Sequence, residues 1–212
     1  METFTDTSFS SVTAGLGAIA VFSFLRSING KTNKEKLSNG TASLINIIAF
    51  IHYLRMRKIW DDKHKDLVST RYSDWFLTCP LLLFEFYILM EWIKVDEQTN
   101  KLSVDKGLGL PIVISMIATL SMLLCGFLSE LYPEQKWEFY GLGFGCLLVL
   151  FSVLYMIDKK RKKDKSVPQW PWIFIGIWAL YGAAYLMENR DLFYNILDLI
   201  AKGAFAMCIA LL

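Results

Sequence analysis

Apolar residues in this chain gather into runs near hydrocarbon length, separated by short polar connections. A bilayer core of roughly 30 Å takes about 20 residues of helix, because each residue rises 1.5 Å. On that measure seven spans are expected at roughly 8–26, 41–57, 68–93, 107–128, 136–157, 168–187 and 191–212, with ends good to about two to four residues. The pattern predicts an all-α membrane protein, a bundle of seven transmembrane helices forming one domain over 1–212. The first run, SFSSVTAGLGAIAVFSFL, is rich in small and hydroxyl residues. Such residues suit a helix packed against other helices.

Composition agrees with a polytopic chain: 54% of 212 residues are hydrophobic and 15% aromatic. Charge then sets orientation. The connections RSINGKTNKEK and DKKRKKDK are the basic ones, and seven spans place both on one side. The positive-inside rule makes that side cytoplasmic, with the N-terminus outside and the C-terminus inside. The net charge of +2 is thus a topology signal, and no nucleic-acid partner is expected. METFTDTS has no basic segment ahead of its apolar run, so it does not read as a signal peptide. Cys79, Cys125, Cys146 and Cys208 fall within predicted spans and read as small buried residues. No phosphate-binding glycine loop and no metal-ligand spacing is evident, so soluble-enzyme chemistry is not expected.

The candidate chemistry lies inside the spans. Lys202 stands in the middle of the last run, with Asp198 one turn before it. An ionisable side chain at that depth is costly and marks a functional site by default. A desolvated lysine amine is also the group that condenses with an aldehyde. In the third span, RYSDWFLTCPLLLFEF, Asp74, Thr78 and Glu85 fall at i, i+4 and i+11. Eleven residues are about three turns, so the three share one face over roughly 16 Å. Arg71 lies one turn before Asp74, and His52 in the second span comes level with Asp74 and Asp198 by helical rise. Plainer readings stay open. Lys202 and Asp198 fit a structural ion pair, His52 fits a bond to a neighbouring carbonyl, and aromatic residues at helical spacing fit packing.

The segments RYSDWFLTCPLLLFEFYIL, IAFIHYLRMRKIW and YNILDLIAK, together with WALYGAAY and GFLSE, resemble the microbial rhodopsins, most closely the proteorhodopsin branch. The resemblance implies all-trans retinal held on Lys202 as a covalent protonated Schiff base. It implies Asp74 and Asp198 as paired counterions, Asp74 as proton acceptor and Glu85 as the cytoplasmic donor, neutral in the dark. By the same resemblance His52 hydrogen-bonds the acceptor, Trp75, Trp178, Tyr181 and Tyr185 enclose the polyene, and Tyr181 hydrogen-bonds Asp198. Leu82 holds the colour-tuning position at which leucine goes with green absorption. Glu130, in the GFLSE turn, is a release-path candidate or a solvated loop residue.

The function implied by this resemblance is that of a light-driven outward proton pump in the cell membrane, a multi-pass protein and not an enzyme, whose partners are retinal, protons and the lipid bilayer. A ring of several copies is expected from the family. The alternatives are a light-gated ion channel or a photosensor of the same fold, or a receptor or carrier without retinal. Gly182 stands where the family usually has proline, and glycine keeps the backbone N–H that proline lacks. The sequence ends at Leu212, so no tail-borne signalling domain is expected. Whether YGLGFG in the fifth span leaves room for an antenna pigment is open.

Overall fold

The computed structural model describes residues 2–61, 66–161 and 170–211. Seven helical rods follow one another among them: α1 (Glu2–Ile28), α2 (Asn33–Asp61), α3 (Leu67–Leu89), α4 (Gly109–Leu131), α5 (Lys136–Arg161), α6 (Trp170–Tyr185) and α7 (Arg190–Leu211). Five are long and apolar enough to cross a membrane, namely α1, α2, α4, α5 and α7, and α6 has a shorter apolar stretch, Trp172–Tyr185. α3 has 23 residues, about 35 Å of helix, and its apolar run is interrupted by Arg71, Asp74 and Glu85.

Several ends differ from the sequence expectation. α2 begins eight residues before position 41, at Asn33, because its polar first turns are held by caps rather than by apolar burial. Thr32 Oγ1 accepts the Glu35 N–H at 3.1 Å, and Glu35 Oε2 accepts the Lys31 N–H at 2.8 Å. This is a capping box in outline. The basic run 158–165 begins on α5 with Asp158 and Lys159, and its residues 162–165 lie outside the described residues.

α3 stops at Leu89 rather than near 93. Glu91 takes the left-handed conformation at φ 57°, the Trp92 N–H reaches the Tyr87 carbonyl at 2.8 Å, and the Glu91 N–H reaches that of Ile88 at 3.1 Å. These are the two bonds of a Schellman stop. A short antiparallel hairpin follows, β1 (Ile93–Val95) and β2 (Leu102–Val104), with Ile93 opposite Val104. Glu97 at its tip accepts the backbone N–H groups of Asn33 and Lys34 at 2.6 and 3.2 Å. The loop thereby supplies acceptors for the open first turn of α2.

By compactness the chain divides into two units. The first joins Met1–Asp105 to Met187–Leu212 and so contains α1, α2, α3, the hairpin and α7. Its apolar cluster is built from Phe9, Val12 and Leu16 on α1 with Ala49, Tyr53 and Met56 on α2. Small residues allow this closeness, as expected for α1: a Cβ on Gly17 would meet the Phe50 ring at 3.0 Å, and one on Gly203 would meet Ile19 Cδ1 at 2.8 Å. The large residues Phe24 and Leu25 point outward, as lipid-facing residues do. The second unit, Lys106–Leu186, contains α4, α5 and α6. Within it Gly143 lets α5 approach α4, with Cys125 Cβ 3.3 Å from the position a Cβ would take. All four cysteines are free and half-buried rather than fully buried.

Candidate functional site

α7 is one rod with an irregular turn. It is α-helical over Arg190–Asp198, widens to a π-helix over Leu199–Ala204, and returns to α-helix over Phe205–Leu211. The widened turn contains Lys202, and such turns are frequent at functional sites. On the stretch before it, Asp191, Asn195 and Asp198 recur at i, i+4 and i+7 and so share a face.

Lys202 is 1% exposed, and Asp74 and Asp198 are each 0% exposed. Its Nζ makes an ion pair and hydrogen bond to Asp74 Oδ2 and lies 3.3 Å from Asp198 Oδ2. A buried ammonium is tolerated only when opposite charge is brought to it. Two carboxylates from different helices do so here. Asp74 Oδ1 has no hydrogen-bond partner among the described residues.

Asp198 is also held by Tyr53, whose hydroxyl donates to Oδ2 at 2.8 Å, and by Trp75, whose Nε1 donates to Oδ1 at 3.1 Å. Trp75 meets Tyr194 edge-on at 5.0 Å between centroids. Arg71 is buried and donates to Asn195 Oδ1 at 3.1 Å, Asp191 Oδ1 at 3.2 Å and the Tyr53 oxygen at 3.5 Å. Its guanidinium also lies 5.3 Å from the centroid of the Tyr194 ring, within cation–π range. Lys202, Asp198, Tyr53, Arg71 and the half-buried Asp191 therefore form one connected polar chain. Every link is within one unit.

Thr78 and Glu85 are buried, as the shared face of α3 requires. The Thr78 hydroxyl donates to the backbone carbonyl of Asp74 at 2.9 Å and so steadies the helix rather than the carboxylate. Pro80 two residues later removes an N–H from the ladder. Glu85 Oε1 has no hydrogen-bond partner among the described residues. A buried carboxyl without a partner is costly to charge. Leu82, one turn before Glu85, is buried.

The expected bond from His52 to Asp74 is not formed. His52 is half-buried, and its Nδ1 pairs with the Ile48 carbonyl one turn back at 2.8 Å. The ring folds onto its own helix, where an acceptor is one turn away. Sequence reasoning also missed Tyr53, which joins Arg71 to Asp198, and Asn195 and Asp191, which accept from Arg71. The four-residue and three-residue steps on α7 were a readable signal for two of them.

In the second unit Trp178 and Tyr185 are buried and Tyr181 and Gly182 half-buried. Trp178 stacks on Phe174 at 4.9 Å, and Tyr185 stacks on Tyr140 at 5.1 Å. The Tyr140 hydroxyl donates to the Gly182 carbonyl at 3.2 Å. A Cβ on Gly182 would meet nothing within 4 Å. Glu130 lies in the last turn of α4 and is half-buried.

A sequence model of the family described as bacteriorhodopsin-like protein matches residues 3–212. The chain belongs to this family. It is 29% identical over 226 residues to a green-light absorbing proteorhodopsin of Gamma-proteobacterium EBAC31A08, covering 97% of this chain and 85% of that one. To a blue-light absorbing proteorhodopsin of Gamma-proteobacterium Hot 75m4 it is 30% identical over 221 residues, covering 95% and 83%. Among solved structures it resembles the viral rhodopsin OLPVRII with a TM-score of 0.82 and 24% identity, covering 97% of this chain and 95% of that one. The protein is therefore a type 1 rhodopsin near the proteorhodopsins, with their seven-helix membrane fold.

The donor set fits a retinal. A buried primary amine, two carboxyl groups beside it, and an unpartnered oxygen on Asp74 are what a charged linkage at Lys202 would need. Rhodopsins are retinal proteins of the membrane, not enzymes in the usual sense, and this one shares that character.

Proposed function

We propose that this rhodopsin is a light-driven outward proton pump of the cell membrane, with all-trans retinal held on Lys202 as a protonated Schiff base. The observation that carries the reading is the Lys202 amine between Asp74 and Asp198, all three buried. Bound retinal supplies visible-light absorption and a change of shape that swings the amine N–H. Side chains of this chain do the rest.

Before illumination Asp74 and Asp198 share the positive charge of Lys202. Asp198 is the fixed member of the pair, because Tyr53 and Trp75 both donate to it. Asp74 is the free member and takes the proton. Glu85, about three turns along α3 and neutral at rest, returns a proton to Lys202. Arg71 shields the opposite end, where Asn195 and Asp191 hold it. The two environments of Asp74 and Glu85 divide acceptor from donor.

The resemblance assigns Trp75, Trp178, Tyr181 and Tyr185 to the polyene and makes 1–212 one retinal-binding domain. It also assigns Tyr181 a bond to Asp198. Leu82 supports green absorption. Thr78 supports Asp74 through its backbone. The basic connection before α2 supports placing the N-terminus outside and the C-terminus in the cytoplasm. A ring of copies completes the proposal.

Illumination of retinal-fed cells in a weakly buffered suspension tests it. Acidification outside that an uncoupler abolishes is the expected result. A passive current that reverses with the ion gradient would make the protein a channel, and a slow photocycle without transport would make it a sensor.

A further inference from the structure

The seam between α1 and α2 changes character along its length. Toward one end it is dry, closed by Phe9, Val12 and Leu16 against Ala49 and Met56. Toward the turn that joins the two helices it is polar. Asn39, Ser43 and Asn46 recur at i, i+4 and i+7 on α2 and are all buried. Ser23 faces them from α1. It lies between Ala20, whose carbonyl accepts the Ser43 hydroxyl at 2.9 Å, and Ser27, whose Oγ is 3.1 Å from a Cβ built on Gly40.

Three atoms of this polar half are unsatisfied. Ser23 Oγ, Asn39 Oδ1 and Asn46 Oδ1 are buried with no hydrogen-bond partner among the described residues. Leaving a buried polar atom unpaired costs about 1–3 kcal/mol. Three along one seam call for a ligand that supplies donors. Their other polar atoms are already committed: Asn39 Nδ2 donates to the Glu35 carbonyl at 2.9 Å, and Asn46 Nδ2 to that of Ala42 at 2.8 Å. Asn46 Nδ2 also lies 3.5 Å from the Lys202 carbonyl in the widened turn of α7. Neutral acceptors in a seam without buried carboxylates suit water rather than a metal cation.

We propose that this half of the seam binds a file of water reaching from the α1–α2 turn to the backbone of Lys202, and that proton uptake draws on it as well as on Glu85. The file ends at Asn46, because the next residues along the seam are the apolar cluster. That one-sidedness gives access from a single face, which a pump needs and a through-channel does not have. Each water accepts one proton and releases another, so a proton entering from bulk at the turn is balanced by one delivered toward Lys202. The uptake role rests on the pump reading, whereas the water file does not.

Two measurements test it. In a crystal structure of the unilluminated protein, ordered waters within hydrogen-bond distance of Ser23 Oγ, Asn39 Oδ1 and Asn46 Oδ1 are expected, and a dry seam would overturn the site. In flash experiments on a Glu85→Gln background, recovery of the dark absorption should persist and should slow about tenfold further on Asn46→Leu, a change of about 1.4 kcal/mol in barrier. Ser23→Ala, which barely alters volume, should slow it in the same direction. Equal recovery with and without these changes would overturn the uptake role. If no pigment forms with retinal, the pump reading fails, and the crystallographic waters still decide the seam.

Discussion

Tyr53 and Asp198 are joined by a 2.8 Å hydrogen bond from the phenol to Oδ2, and the same oxygen lies 3.3 Å from the Lys202 amine. Tyr53 therefore sets how much negative charge Asp198 can offer. Hydrogen bonds to charged groups contribute about 1.5–3 kcal/mol. Tyr53→Phe should weaken Asp198 as a counterion and shift the visible absorption and its pH titration, both readable in a spectral titration. An unchanged spectrum and titration would leave Tyr53 a packing residue.

Lys202→Ala should abolish the covalent pigment. The measurement is visible absorbance after retinal is added and the protein is acid-denatured, which retains only covalently held chromophore. Asp74 and Asp198 would be left as two uncompensated buried carboxylates, so the variant should also lose about 3–5 kcal/mol of stability unless one takes up a proton.

Glu85→Gln keeps the volume of the buried side chain and removes the proton it can give. Recovery after a flash should slow by about two orders of magnitude, within the range typical of positioned proton transfer. Added azide, a small diffusible acid, should restore the rate. Unaltered kinetics would assign the donor role elsewhere.

Glu91 occupies the left-handed position of the α3 stop, at φ 57°, where a side chain is unfavourable by about 1 kcal/mol. Its exposed ion pair with Lys34, at 3.1 Å, returns little. Glu91→Gly should therefore leave the thermal midpoint unchanged or raise it slightly. A large drop would show that the Lys34 contact outweighs backbone strain.

Asp96 in the hairpin turn accepts the N–H groups of Thr99 and Gln98 at 2.6 and 2.9 Å, and these bonds hold its carboxyl below the usual aspartate range. A folded value below the unfolded one makes the contribution present above the unfolded value, about 3.9, and lost as pH falls through the lowered one. Exchange protection of the Thr99 amide should hold at pH 5 and disappear in stronger acid. Asp96→Ala should remove the pH dependence.

The parts of this molecule legible in the sequence were those written in charge and apolar length. Lys202 with Asp198, and Asp74 with Glu85, stand out because an ionisable group in a long apolar run has few explanations. Tyr53 and Asn195 did not stand out, since a neutral tyrosine or asparagine in a helix is ordinary until its partners are known. The hairpin was hidden for another reason: its strands are three residues each, too short for alternation to show. The widened turn at Leu199–Ala204 left no trace either, because one extra residue in a turn does not change an apolar pattern. His52 shows the opposite failure. Helical rise gives its level but not its partner, because depth along a helix does not determine where a ring points.

Glu97 has a mechanical consequence. By accepting two amides from the beginning of α2, the hairpin tip ties the start of one helix to the end of another, so a displacement at the close of α3 pulls on α2 as a rope pulls on its cleat. Cutting the chain between residues 97 and 101 would slacken both together.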